Sequence, residues 1–184
     1  MQPDTKKGLL IASLTYHGTY SAYRMMYRKS GSDQWDYLQI GSSSAVLPPG
    51  MQHWDIEEPG LRGQVFVIEL PAGDYEFTSW GVSSGYATIS PKQNFSIPFG
   101  LPEGTAIYAG NFHFERQSGF GATVTGVKVS HHNQTQRDLG IAKTKIPSLA
   151  SMDIELAMDT APSMDSLYGG NSTSFDVPPI IFVR

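Results

Sequence analysis

Short runs of β-forming residues, separated by turn residues, fill most of the chain between residues 8 and 130. The run 9–16 has aliphatic residues at odd and even positions, which is typical of a central strand covered on both faces. The run 20–29 alternates instead, with Tyr23 starting one set of positions and Arg24 the other. This alternation predicts a strand with one buried and one solvated face.

Further β-type runs and their spacing predict an antiparallel β-sandwich or barrel of about eight or nine strands. The segment 71–74, Pro-Ala-Gly-Asp, has the composition of a tight turn and predicts a hairpin between the runs on either side. The runs concerned are 35–40, 64–70, 75–80, 94–99, 105–115 and 122–130.

The pattern changes to helical spacing after residue 133. Thr135 and Asp138 have the spacing of a capping box, and apolar residues then recur at helical intervals as far as Ile146. Pro147 ends this short helix, and Ser151 begins a predicted second helical turn. We therefore divide the chain into a β-sandwich domain with a short C-terminal helix (1–150) and a C-terminal region (151–184).

The C-terminal region combines a helical turn, a polar loop and an apolar end. Residues 160–176 are mostly small and polar, whereas residues 180–183 read Ile-Ile-Phe-Val. Exposure of the apolar residues 180–183 to water is unfavourable, so we expect this end to dock on the body or to pair along an open sheet edge.

The composition narrows the function classes. Forty per cent of the 184 residues are hydrophobic and 16% are charged, which is typical of a globular protein. The net charge of −4 argues against nucleic acid as a partner. The absence of cysteine excludes disulfides, thiolate metal sites and cysteine nucleophiles. No run approaches the ~20 apolar residues that span a bilayer.

The long segment 41–63 is rich in chain-breaking residues and holds the main candidate binding site. Loops of this length in compact domains are often functional. A polar and aromatic site can assemble there, and its competing interpretation is a solvated acidic loop. The candidate binding residues are His53, Trp54, Asp55, Glu57 and Glu58.

The histidines do not have a metal-ligating pattern. His131 and His132 are adjacent, so they point to opposite faces of a strand. His113 lies between Phe112 and Phe114, which places it on the wetter face. We predict no metal site and no cofactor.

Two other readings of the chain remain open. Residues 81–85 match the G-x-S-x-G pattern of a hydrolase with Ser83 as nucleophile, but β-type residues follow where a helix should begin, which favours a hairpin turn. Alternatively, exposed aromatic residues such as Trp35, Trp54 and Tyr86 stack on sugar rings in a carbohydrate-binding module.

Three segments carry a resemblance to a known group of proteins. They are Leu-Pro-Ala-Gly-Asp-Tyr-Glu-Phe at 70–77, Gly-Thr-Ala-Ile-Tyr-Ala-Gly-Asn at 104–111, and the stretch 137–149. Their order is similar to that in uncharacterised envelope lipoproteins of Gram-negative bacteria, which have an immunoglobulin-like or prealbumin-like β-sandwich. The resemblance covers residues 8–150 and implies a signal peptide and a lipidated cysteine ahead of the mature domain.

The function expected from these observations is a non-enzymatic module of the cell envelope. The resemblance implies a location in the periplasm or at the outer membrane, with membrane attachment only through a lipid anchor absent from this chain. The expected partner is an envelope protein or a glycan. We expect binding by strand addition at an open sheet edge, or through the segment around His53.

Overall fold

Within residues 6–42, 53–157, 166–167 and 170–176, which the computed structural model describes, twelve strands form two six-stranded sheets. In chain order the strands are β1 (Lys7–His17), β2 (Ala22–Lys29), β3 (Trp35–Ile40), β4 (Ile56–Glu58), β5 (Leu61–Pro71), β6 (Gly73–Ser84), β7 (Ala87–Pro91), β8 (Ile97–Leu101), β9 (Ala106–Phe120), β10 (Thr123–His132), β11 (Ile154–Leu156) and β12 (Asn171–Phe175). Helix α1 (Thr135–Lys145) and a 3-10 turn (Pro147–Ser151) separate β10 from β11.

Sheet A has the strand order β10-β9-β1-β5-β4, with β11 also paired to β9. Sheet B has the order β12-β7-β6-β2-β3, with β8 also paired to β6. Most neighbours are antiparallel, but β1 and β11 each run parallel to β9. The predicted β-sandwich class is confirmed, whereas its immunoglobulin-like or prealbumin-like type stays a prediction.

Aromatic residues fill the main core between the two sheets. Tyr23, Phe77, Trp80, Phe112 and Phe114 are each at most 1% exposed. Strand β1 pairs with β5 on one side and β9 on the other, as its two-sided apolar pattern predicts. Strand β2 buries one alternate set of side chains and leaves the other set half-buried, which confirms its predicted alternation.

Helix α1, the 3-10 turn and β11 cover part of the outer face of sheet A. A second, smaller apolar cluster lies there, with Ala142 of the helix and Leu149 of the turn fully buried against Ile11 and Val65 of the sheet. The predicted helix is therefore confirmed. It makes sheet A a layer with cover on both faces, whereas sheet B has no such helix on its outer face among the described residues.

Three local predictions are wrong. The turn at 71–74 does not close a hairpin, because β5 belongs to sheet A and β6 to sheet B, so the chain crosses between sheets there. Ile154–Leu156 is a strand instead of a helical turn. Asn171–Phe175 is a strand inside the segment predicted as a polar loop. The apolar end, 180–183, lies outside the described residues.

The predicted capping box is also wrong. The N-cap of α1 is Gln134 and has no side-chain cap, and Asp138 turns away from the helix end into a buried position against sheet A. A local spacing rule cannot detect that a distant strand supplies hydrogen-bond donors to this carboxylate.

Candidate functional site

Of the predicted binding residues, Asp55 has a structural role. One oxygen of its carboxylate accepts hydrogen bonds from the main-chain N–H of Val65, at 2.8 Å, and from the Nζ of Lys145, at 2.6 Å. The same Nζ donates to the carbonyl of Val65 at 2.8 Å. Asp55 therefore ties the entry of β4 to both β5 and helix α1.

The other predicted residues turn to different neighbours. Trp54 is half-buried and packs edge-on against Tyr16, with ring centroids 5.7 Å apart. Glu57 forms an exposed ion pair with Arg62, at 3.2 Å, while Arg62 also donates to the carbonyl of Glu58. His53 is exposed. The five residues are thus close together in sequence. The side chains of Trp54, Asp55 and Glu57, however, contact three different parts of the structure.

The Gly-x-Ser-x-Gly segment forms the end of β6 and the turn into β7. Ser83 pairs with Thr88 across this hairpin, as the favoured interpretation of the segment predicts. Its hydroxyl accepts a hydrogen bond from the guanidinium of Arg24 at 3.2 Å. The strand-to-helix turn that exposes a serine nucleophile is therefore missing at this position.

A buried polar network joins β1, β9 and helix α1 on the outer face of sheet A. Asp138 is fully buried, and one of its carboxylate oxygens accepts from the Ser13 hydroxyl at 2.5 Å and from the Tyr108 hydroxyl at 2.6 Å. Its other oxygen accepts from the Nε of Arg137 at 2.8 Å. The side-chain amide of Asn111 donates to the Ser13 hydroxyl at 2.7 Å.

The network continues from Asn111 toward the surface. The Thr15 hydroxyl lies 3.2 Å from the amide oxygen of Asn111 and 3.0 Å from the Nδ1 of His113. His113 is half-buried on the outer face, as its position between two core phenylalanines predicts. Ser13 and Thr15 are buried, so their hydroxyls are out of reach of a substrate in this conformation.

The environment of the network favours the neutral forms of Tyr108 and His113. Burial, helped by the neighbouring carboxylate of Asp138, raises the pKa of Tyr108 and keeps its hydroxyl a donor. Burial, helped by the nearby His132, lowers the pKa of His113. The buried carboxylate of Asp138 accepts hydrogen bonds at both of its oxygens. These bonds fix α1 to the sheet, because hydrogen bonds are strongest where water is excluded.

Sequence reasoning missed this network. Its signal is nevertheless present, because Ser13 and Thr15 interrupt an otherwise apolar strand at alternate positions and therefore share one face. Two hydroxyls on the same face of a strand covered on both sides require buried polar partners.

One long side of the sandwich is closed. The main-chain carbonyls of Thr125, Val127 and Val129, at the free edge of β10, accept hydrogen bonds from the C-terminal region at 2.7, 2.8 and 2.6 Å. The donors are the Thr173 hydroxyl, the Asn171 side-chain amide and the main-chain N–H of Leu167. This edge of sheet A is therefore unavailable to another strand.

The opposite long side, between β3 and β5, is open among the described residues. Val65 directs its N–H and C=O away from β1, toward Asp55 and Lys145. Along an antiparallel strand, the main-chain N–H and C=O groups of successive residues point alternately toward one neighbouring strand and toward the other. The main-chain groups of Val67 and Glu69 therefore point away from β1, as those of Val65 do. In the part of the chain that the structure describes, neither residue has a partner strand on that side.

A groove of about 540 Å³ marks the same side. Residues of both sheets line it, including Trp35 of β3, Leu70 and Pro71 of β5, and Tyr75 of β6. On the same strand, three side chains that face the main core are only partly buried: Phe66, Ile68 and Leu70. Apolar side chains are thus combined at one place with main-chain groups that no described strand pairs.

Comparisons of the chain with family models, with curated proteins and with solved structures find no match. Among the described residues, no three His, Asp or Glu side chains are grouped to hold a metal ion. No helix in the described ranges has the length and apolar character needed to cross a bilayer. The candidate functional site is the side between β3 and β5, on the geometric grounds of its outward main-chain groups and its groove.

Proposed function

We propose that the protein is a non-enzymatic β-sandwich module of the bacterial cell envelope that binds another envelope protein. It takes up an extended segment of that protein along β5, by strand addition. The observation that carries this proposal is the outward direction of the main-chain groups of Val67 and Glu69 beside a groove lined by both sheets.

The main-chain groups of β5 supply the affinity in this mode of binding. An incoming strand pairs with the N–H and C=O groups of Val67 and Glu69 and extends sheet A by one strand. Its inward-facing side chains cover Phe66 and Ile68, which the two sheets leave partly exposed. We therefore expect the segment to alternate between apolar and polar residues.

The contrast between the two long sides supports this choice of site. At β10, three carbonyls in succession are occupied by donors of the same chain. Proteins protect sheet edges in this way because an unpaired edge recruits other strands. The β5 edge, which no described strand covers beyond β4 and which lies beside apolar side chains, is therefore the favoured place for a partner.

The envelope location is part of the proposal and rests on the resemblance of the three segments at 70–77, 104–111 and 137–149 to envelope lipoproteins. A lipid anchor, placed on a cysteine outside this chain, is the corresponding mode of membrane attachment. Fractionation of cells that express the full gene tests this location directly, and recovery in the cytosol contradicts it.

Site-specific photo-crosslinking in the native host tests the binding mode. A photoreactive amino acid at Gln34, an exposed position on the rim of the groove, is expected to give a discrete adduct with an envelope protein. The matched control carries the same amino acid at Lys128, an exposed position on β10. Adducts at Lys128 alone, or at neither position, overturn the proposal.

A second measurement identifies strand addition itself. With the crosslinked segment as a peptide, hydrogen exchange of the Val67 and Glu69 amides is expected to slow on binding. Glu69→Pro removes one outward N–H and weakens binding, whereas Glu69→Ala keeps that N–H and binds normally. Protection confined to other strands, or equal binding by the two variants, contradicts the proposed mode.

A further inference from the structure

The outer face of sheet B carries a second surface, which shares only Trp35 and Arg28 with the groove of the proposed function. The pairing registers of β3, β2 and β6 place three rows of side chains side by side on this face. We call this surface the aromatic shelf. Its rows are Trp35–Arg28–Glu76, Tyr37–Met26–Ser79 and Gln39–Arg24–Gly81.

Two large aromatic rings lie exposed on the shelf. Trp35 is 66% exposed and Tyr37 is 57% exposed. They are two residues apart on β3, so they point to the same side and stand ~7 Å from each other along the strand. An exposed pair of this kind provides apolar ring surface at the edge of the sheet, with Arg28 opposite Trp35 and Arg24 beside Tyr37.

The two arginines of the shelf are in different electrostatic situations. Arg28 is paired with Glu76 at 2.8 Å, and the other carboxylate oxygen of Glu76 accepts from the Ser96 hydroxyl. The Ser96 and Arg28 hydrogen bonds hold the pKa of Glu76 below its usual range. The charge of Arg28 is therefore compensated within the shelf.

Arg24 has no such compensation in the part of the chain that the structure describes. Its guanidinium donates to the side-chain oxygen of Gln39 at 2.6 Å and to the Ser83 hydroxyl at 3.2 Å, and both acceptors are neutral. Its central carbon lies 5.7 Å from the centre of the Tyr37 ring. Within the described ranges, no carboxylate comes within ion-pair distance of Arg24. A fixed positive charge thus stands beside an exposed aromatic ring.

We propose that the aromatic shelf binds an acidic saccharide, whose rings stack on Trp35 and Tyr37 while a carboxylate pairs with Arg24. A sugar ring fits this surface because it has an apolar C–H face and a polar edge. The acidic character follows from Arg24, since its guanidinium has no carboxylate partner among the described residues and a charge-assisted hydrogen bond to a carboxylate is stronger than one to a neutral acceptor. The chain's net charge of −4 argues against general attraction of polyanions, so binding depends on the shelf.

Titration calorimetry of the purified chain with three uronate polymers, polygalacturonate, alginate and hyaluronate, tests the proposal. At least one polymer is expected to bind, and uncharged dextran is expected not to bind. Tyr37→Ala and Arg24→Gln are each expected to weaken binding about tenfold or more, because stacking and a charged hydrogen bond each contribute on that scale. Arg24→Lys keeps the charge and retains more affinity than Arg24→Gln.

Tyr86→Ala is the matched control, because Tyr86 is a similarly exposed aromatic residue located at the β6–β7 turn. It is expected to bind like the unchanged protein, and urea unfolding checks that every variant folds. Failure of all three polymers to bind overturns the proposal. Equal binding of dextran sulfate, or unchanged binding by Tyr37→Ala, overturns it as well, because either result means that charge alone is recognised.

The outcome of the saccharide-binding test can be distinguished from the outcome of the strand-addition test. Tyr37 and Arg24 do not line the groove between β3 and β5, whereas Trp35 and Arg28 line it and also belong to the shelf. Strand addition along β5 is therefore expected to survive Tyr37→Ala and Arg24→Gln. The Glu69→Pro variant is likewise expected to bind the polymer normally.

Discussion

The side-chain amide of Asn171 in β12 donates a hydrogen bond to the main-chain carbonyl of Val127 in β10, at 2.8 Å. This bond links sheet B to the free edge of sheet A. Thr173, two residues later on the same side of β12, repeats it with the carbonyl of Thr125. One short strand therefore closes an edge without pairing to it, because its side chains take the place of a neighbouring main chain.

We predict that the double variant Asn171→Ala and Thr173→Val lowers the free energy of unfolding by about 2 kcal/mol, since each lost bond leaves a carbonyl without its donor. Urea unfolding measures the change. Ser172→Ala, at the intervening exposed position, is the control and is expected to have no effect. The double variant is also expected to self-associate more than the unchanged protein at high concentration, and an unchanged oligomeric state would argue against the role of β12 in edge protection.

The role of β12 was not predictable from its own residues. Asn171–Phe175 is polar apart from its last residue, so it lacks the apolar alternation from which strands are recognised. It forms a strand because β7 offers a main-chain ladder and β10 offers carbonyls to its side chains. Both reasons lie in distant parts of the chain.

Where the hydrophobic periodicity of a segment determines its structure, the sequence alone was sufficient to predict the strand. The predicted limits of β3 are those observed, and β1 is the central strand that its two-sided apolar pattern indicates. The turn at 71–74 shows where this reasoning ends. Its residues specify a change of direction, but whether the next strand pairs with the last one or joins the other sheet depends on packing across the whole sandwich.

Asp138 is predicted to be essential for the attachment of α1 to sheet A. Asp138→Ala leaves Arg137 and two buried hydroxyl groups without their acceptor, so we expect a loss of about 3 to 5 kcal/mol in the free energy of unfolding. Asp138→Asn keeps the volume and one acceptor oxygen, and it is expected to cost less. Asp153→Ala, at an exposed position, is the control. Equal stability of the Asp138 and Asp153 variants would exclude a structural role for the network.

The candidate binding residues were only partly accessible to sequence reasoning. A clustering of polar and aromatic residues drew attention to the segment around His53, and the structure uses Asp55 there to hold β5 and α1 in place. Nothing in the sequence indicates that the main-chain groups of Val67 and Glu69 lie at a sheet edge. Only the sheet order shows that no described strand covers them.

Two glycines are predicted to respond in opposite ways to the same substitution. Gly110 has a φ of 93°, and a Cβ there would lie 2.2 Å from the Nε2 of the buried His131, so Gly110→Ala is expected to cost about 2 kcal/mol or more. Gly140 lies in α1 with open space around it, so Gly140→Ala is expected to gain about 1 kcal/mol. Thermal and urea unfolding of the two variants measure both effects. A tolerated alanine at 110 would contradict the observed backbone conformation.

His131 is predicted to make the protein less stable in mild acid. Its Nε2 lies 2.9 Å from the carbonyl of Ala109 and donates to it in the neutral ring, while Nδ1 has no partner among the described residues. Burial lowers the pKa of His131, against a smaller opposing effect of the Ala109 bond. The pKa in the folded state is thus below that of the unfolded chain.

A lowered pKa means that the unfolded chain takes up the proton first as the pH falls. The stabilising contribution is therefore complete above about pH 7 and is lost below the unfolded pKa of about 6.5. His113, whose pKa is lowered in the same direction, adds to this dependence. His131→Gln keeps a donor for the Ala109 carbonyl but cannot be protonated, so we expect its free energy of unfolding to fall less between pH 7.5 and 5. Urea unfolding across this range measures the slope, and identical slopes for the two proteins would show that His131 is not the buried titrating group.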